Sequence, residues 1–187
     1  MGLFDIFRMK TGRDENEHDK KLENFPEMLT FKLLFVDKPK LERGKISDEV
    51  RAYIPNFNSS GEENSFIYTF PDYPIELADG TICAQCLVVV PGEKESNVEL
   101  PDVAFQQNWH WEEANDMVEK CNYELLVTDI MSRTLPYKQR VNLFTNFLVA
   151  VIKAIQPDAI YSLHGQKIIN PTDLIDIWDS DEKQMLY

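Results

Sequence analysis

One segment dictates what the rest of the chain must build. After Thr134-Leu135-Pro136, the residues Val141, Phe144, Leu148, Val151, Ile152 and Ile155 recur at three- and four-residue spacing, and Leu143, Phe147, Ala150 and Ala154 widen the same arc. A helix this apolar on one side is not stable alone in water; it needs an apolar surface of similar length to lie on. Thr134 reads as its N-cap, Pro136 as its early-turn proline, and Pro157 ends it.

The other apolar segments are too short for such helices and read as strands. Residues 28–36 run Met-Leu-Thr-Phe-Lys-Leu-Leu-Phe-Val and stop at Asp37-Lys38-Pro39. Residues 66–70 form a second strand. Residues 73–78 lead into Asp79-Gly80, a hairpin signal, and residues 82–90 return apolar on both faces, as an interior strand does. Residues 122–130 are a further strand, and 159–163 and 167–169 are two short ones around His164-Gly165.

Between them, Ser47 followed by Asp48, Glu49 and Val50 marks a helix N-terminus, with the helix stopping before Pro55. Asn58-Ser59-Ser60-Gly61 reads as a loop. Residues 91–108 form a long Pro- and carboxylate-rich loop, broken by a short helix near 101–106. Helices follow over 111–120 and 171–178. The order does not repeat as strand–helix–strand units. The expected fold is therefore α+β: a mostly antiparallel sheet with helices packed mainly on one face, in a single domain over residues 25–187. Residues 8–24 are nearly all charged or polar and cannot bury enough surface to offset ordering entropy, so 1–24 reads as a charged tail. Its first seven residues, Met-Gly-Leu-Phe-Asp-Ile-Phe, form an apolar peptide suited to docking on its own domain or on another surface.

Charge bounds the partners. With 19 Lys and Arg against 32 Asp and Glu, the formal net charge is −13. Such a field repels phosphate backbones and anionic headgroups and attracts basic proteins, so the expected partner is a basic protein, with no nucleic acid and no membrane span. No segment has the roughly 18 uncharged apolar residues of a span. Three cysteines do not make a disulfide framework, and the Cys83/Cys86 pair lies in a strand, where residues three apart face opposite ways. That pair reads as core packing in a cytoplasmic protein.

No phosphate-binding glycine loop, zinc-protease motif or nucleophile elbow is present, and the three histidines lack neighbours at metal-ligand spacing. The expectation is thus no cofactor, no metal and no catalytic residue. The binding candidates are Trp109, His110 and Trp111, an aromatic cluster at the end of the long loop, with Arg133 in a strand-to-helix turn and His164 in a tight turn. The plain reading has one or both tryptophans stapling a helix to the sheet. The functional reading is an aromatic-walled pocket with His110 as its polar group.

From residue 89 to 173 the pattern is specific enough to resemble a known family. It runs from a proline-containing loop to Trp-x-Trp-x-x-Ala (Trp109, Trp111, Ala114), Val118, Glu124-Leu125-Leu126-Val127 and the long apolar helix. It closes with Ala159-Ile160-Tyr161 and the return Gly165-Gln166-Lys167-Ile168-Ile169-Asn170-Pro171. This resembles the bacterial family catalogued as domain of unknown function 4261. The resemblance implies a fold and a bacterial origin, and it brings no activity with it. Where that family has a histidine this chain has Cys121, which argues against a metal ligand there.

Two function classes follow. The first is a non-catalytic acidic protein-binding or immunity-like module. The alternative is a small hydrolase with its site at the Trp109-His110-Trp111 loop, His110 as general base and Arg133 holding an anionic substrate group.

Overall fold

In the computed structural model, which describes residues 26–90 and 98–180, seven strands form one sheet. They are β1 (Thr30–Phe35), β2 (Asn58–Glu62), β3 (Ser65–Leu77), β4 (Gly80–Val89), β5 (Tyr123–Ile130), β6 (Ala159–Ser162) and β7 (Lys167–Ile169). Among the described residues five helices accompany them: α1 (Arg43–Tyr53), α2 (Asp102–Gln106), α3 (Ala114–Lys120), α4 (Tyr137–Ile155) and α5 (Pro171–Asp179). The strand order is β2-β3-β4-β5-β1-β6-β7 and every pairing is antiparallel. The protein is an α+β sheet-and-helix fold, as the sequence pattern predicts. The 1–24 tail, with its apolar heptapeptide, lies outside the described residues.

The long helix does what its periodicity requires. Phe144, Phe147, Leu148 and Val151 of α4 lie on a sheet face made by Leu33 and Phe35 of β1, Tyr68 and Phe70 of β3, Cys86 and Val88 of β4, and Leu125 and Val127 of β5. Phe147 is completely buried, its ring 5.1 Å from Tyr68 and 5.9 Å from Phe70. Truncating such a side chain to Ala costs about 3–5 kcal/mol. The apolar arc of α4 is wider than one sheet contact needs because α1 and α5 also pack on it. Trp178 of α5 is buried with its indole N–H donating to Asn146 Oδ1 (2.9 Å).

The opposite face is covered over part of its width. Ala104 of α2 and Ala114 and Val118 of α3 close over Leu34 of β1, Ala159 and Tyr161 of β6 and Ile168 of β7, with Cys121 in the same cluster. Small residues at 104 and 114 let these short helices approach closely.

Four local expectations change. Asn58–Glu62 is a strand and not a loop: it pairs with β3 as an edge, where both faces tolerate polar side chains. Helix α1 begins at Arg43, a turn before Ser47, because Ile46 and Val50 supply its buried stripe. The Ser47 hydroxyl is instead hydrogen-bonded to that of Tyr68 (3.3 Å). Helix α3 begins at Ala114 and not at Trp111; residues 109–113 are turns. Pro136 occupies the N-cap of α4, so Thr134 does not cap it.

Candidate functional site

The five binding candidates fall in two places. The first is the loop that carries Trp109, His110 and Trp111 beside β7. Its backbone turns through Trp111 N–H to Asn108 O (2.9 Å) and Ala114 N–H to Trp111 O (3.2 Å). The Asn108 amide donates to Asn115 Oδ1 (2.7 Å), tying the loop to α3. Trp111 points inward and packs on the α2/α3 core. Trp109 does not: it is 87% exposed, so only Trp111 staples. One of the two tryptophans thus staples and the other does not; with α3 starting at Ala114, they precede the helix and differ in burial.

The His110 ring holds the loop to the sheet. Its Nε2–H donates to the Ile168 carbonyl of β7 (3.0 Å), while Nδ1 is buried with no hydrogen-bond partner among the described residues. The Trp109 ring stands edge-on to His110 with centroids 5.7 Å apart, and the Lys167 ammonium lies 5.9 Å from the Trp109 centroid. That distance is at the outer reach of a cation–π contact. Next to this platform the solvent side of the following turn and helix carries Glu112, Glu113, Asp116 and Glu119, all exposed. The result is an unburied indole beside one cation, followed in the chain by four exposed carboxylates.

Acid–base chemistry at His110 needs one ring nitrogen held by a partner and the other open to a substrate, and here Nδ1 is buried. Here the bonded partner of the ring is a backbone carbonyl. Among the described residues, no group of three or more His, Cys, Asp or Glu side chains is placed to hold a metal ion. A hollow of about 570 Å³ lies at the β2–β3 turn, lined by Glu62, Glu63, Asn64 and Ser65, and none of the five candidates lines it.

Arg133 and His164 lie at the second place, where the chain runs into β1. Arg133 Nη1 donates to the exposed Glu27 carboxylate (3.3 Å), and the His164 Nε2–H donates to the Met28 carbonyl. Between them sits a cluster that the candidate set misses. Arg140, 4% exposed, donates from Nε and Nη2 to the Asp129 carboxylate (2.6 and 3.1 Å), from Nη1 to Pro26 O (2.9 Å) and from Nη2 to Glu27 O (2.9 Å). Asp129 also accepts from the Leu29 N–H (2.5 Å) and the Ser132 hydroxyl. The cluster therefore clamps residues 26–29 onto the end of β5. Its signal is present in the sequence: an arginine three and four residues before Leu143 and Phe144, inside the apolar arc, requires a buried acid.

The thiols are shielded. Burial pushes Cys121 up to about 11 and Cys86 well above its ordinary value, which leaves neither as a thiolate nucleophile near neutrality. Cys83 and Cys86 lie three residues apart, at positions of opposite parity in β4, Cys86 buried and Cys83 half-buried, and neither is in a disulfide. Among the described residues no helix is long and apolar enough to cross a membrane. Comparison with protein-family models, curated proteins and solved structures finds no match.

Proposed function

We propose that this protein is a non-catalytic, acidic protein-binding or immunity-like module, and that Trp109 anchors a basic protein partner. One observation carries the reading: an indole 87% exposed at the tip of a loop whose other members, His110 and Trp111, fix it to the sheet. A Trp side chain buries roughly 150–250 Å² on contact. At about 25 cal/mol per Å² that is a gross gain of about 4–6 kcal/mol, enough to leave a hot spot of about 2 kcal/mol after the costs of association. The exposed carboxylates of Glu112, Glu113, Asp116 and Glu119 set the sign of the partner. The resemblance to family 4261 and the cytoplasmic location belong to the same proposal.

The hydrolase reading has less support. Its general base would be a ring whose Nε2–H is committed to Ile168 O and whose Nδ1 is buried. Arg133 is paired with Glu27, in the second cluster and not in the tryptophan loop.

The test is capture from cell extract on the immobilised full chain at low and high ionic strength, beside Trp109→Ala. The expected result is a basic protein that is retained at low salt, is released at high salt, and binds Trp109→Ala about 30-fold more weakly, the equivalent of about 2 kcal/mol. Absence of any salt-sensitive partner refutes the reading.

A further inference from the structure

The sheet face that α2 and α3 leave open is apolar where it should be polar. Ile67 of β3 lies opposite Leu87 of β4, Val89 of β4 opposite Leu126 of β5, and Ile130 of β5 opposite Gln85. Register partners share a face, so Ile67, Leu87, Val89, Leu126 and Ile130 form one patch on the side away from α4. All five are half-buried and belong to neither of the two buried clusters. A solvated antiparallel face alternates to polar residues on its outer side. Here Ile67, Leu87, Val89 and Leu126 adjoin one another, with Thr128 and the Thr69–Gln85 pair between them and Ile130.

We propose that residues 1–7 of this same chain dock on that patch. Leu3, Phe4, Ile6 and Phe7 supply the apolar groups; at 100° per residue they fall within an arc of roughly 160°, with Asp5 on the far side. The point where the chain reaches the sheet favours this occupant. Residues 26–29 are clamped against Asp129, on the α4 side of the sheet and one residue before Ile130 in β5, so the tail starts at that end of β5 and has only to round it to reach the patch. The connecting residues 8–25 number eighteen. They reach up to about 60 Å when extended and have a root-mean-square span of about 23 Å when flexible. The patch runs only about 13 Å along β5, from Ile130 to Leu126. A linker that spans its site easily gives a local concentration in the millimolar range, which a second copy of the chain must exceed to compete. Arg8, Lys10 and Arg13 just after the peptide suit residues 26–187, where 14 Lys and Arg stand against 26 Asp and Glu. The inference does not depend on Trp109, which lies in the loop beside β7.

The experiment uses the full chain with labelled Ile, Leu and Val methyl groups, compared with Phe4→Asp/Phe7→Asp by NMR. The methyl signals of Ile67, Leu87, Val89, Leu126 and Ile130 are expected to move, while those of Leu33, Val127 and Ile160 stay. In parallel, trypsin should cut after Arg8 about 10-fold faster in that variant, and equally faster in Leu87→Lys, where the peptide is intact and its seat is not. Unchanged patch methyls in both comparisons overturn the proposal. So do shifts that depend on protein concentration and track a dimer in sedimentation, which would assign the patch to a second copy. Vesicles of anionic phospholipid that bind the unaltered chain through residues 1–7, with the patch methyls unmoved, overturn it as well.

Discussion

The clamp around Asp129 makes the sharpest quantitative prediction. In Asp129→Ala, the Arg140 guanidinium keeps its contacts to Pro26 O and Glu27 O but loses both bonds to the carboxylate. The cation stays in a site where it is 4% exposed, with no counter-charge. Removing one member of a buried pair costs about 3–5 kcal/mol, because the remaining charge keeps its desolvation penalty. For a chain of 187 residues, each kcal/mol shifts Tm by about 2–4 °C, so a fall of about 6–20 °C is expected. Urea unfolding followed by circular dichroism measures the free energy directly. The double variant Asp129→Leu/Arg140→Met should recover most of the loss, since an apolar pair of similar volume carries no desolvation cost. Hydrogen exchange at the Leu29 amide, which donates to Asp129, should quicken in Asp129→Ala more than exchange in β6. A loss below about 1 kcal/mol, or a double variant no better than the single one, would refute the clamp.

Four further outcomes are expected. Trp109→Ala should change stability by less than about 0.5 kcal/mol, whereas Trp178→Ala, at a position 1% exposed, should cost about 3–5 kcal/mol; equal effects in urea unfolding would contradict the assignment of one indole to the surface and the other to the core. Iodoacetamide near neutral pH should alkylate Cys83 first and leave Cys86 and Cys121 intact, read by mass spectrometry. A raised folded pKa favours the protonated thiol, so the contribution of Cys121 is complete below the ordinary value of 9.0 and is lost as pH rises towards 11; the urea midpoint should fall over that window more than in Cys121→Ala. Gly61→Ala should cost at least about 1 kcal/mol and loosen β2 in hydrogen exchange, because Gly61 has φ +118° and an added Cβ would lie 2.1 Å from Ser65 O.

What could be read from the sequence was whatever a short window determines. The apolar faces of α4 and β4 and the continuous Leu125–Val127 stretch of β5 report burial residue by residue, and Asp79-Gly80 marks the hairpin, whose two-residue turn is Ala78-Asp79, with Leu77 paired to Gly80. Strand β2 was not legible, because an edge strand of Asn, Ser, Gly and Glu owes its conformation to the backbone of β3 and not to its own side chains. The start of α1 was missed for a similar reason: the hydroxyl of Ser47 is used by Tyr68, a residue on another element. At the tryptophan loop, composition pointed to the right residues but could not orient them. One indole is buried and one exposed, and α3 starts three residues later than the pattern suggests. The Arg140–Asp129 clamp joins residues eleven apart in sequence to a segment more than a hundred residues upstream, a relation no local pattern encodes.

The place of β1 in the sheet sets a timetable for folding. It is the earliest strand, yet its neighbours are β5 on one side and β6 on the other, with Phe31 opposite both Val127 and Ser162. The β2–β3–β4 hairpins can zip up from adjacent chain, and β6–β7 can do the same, but the two halves are joined only through this first-made strand. At a synthesis rate of roughly 5–20 residues per second, Phe31 leaves the ribosome on the order of 6–25 s before Ser162. Until β5 emerges a Phe-Lys-Leu-Leu-Phe ribbon has no mate, and until β6 emerges it is paired on one side alone. Closing the sheet is therefore a late, long-range event, which makes slow folding and a need for protection of the nascent chain built-in properties of this topology.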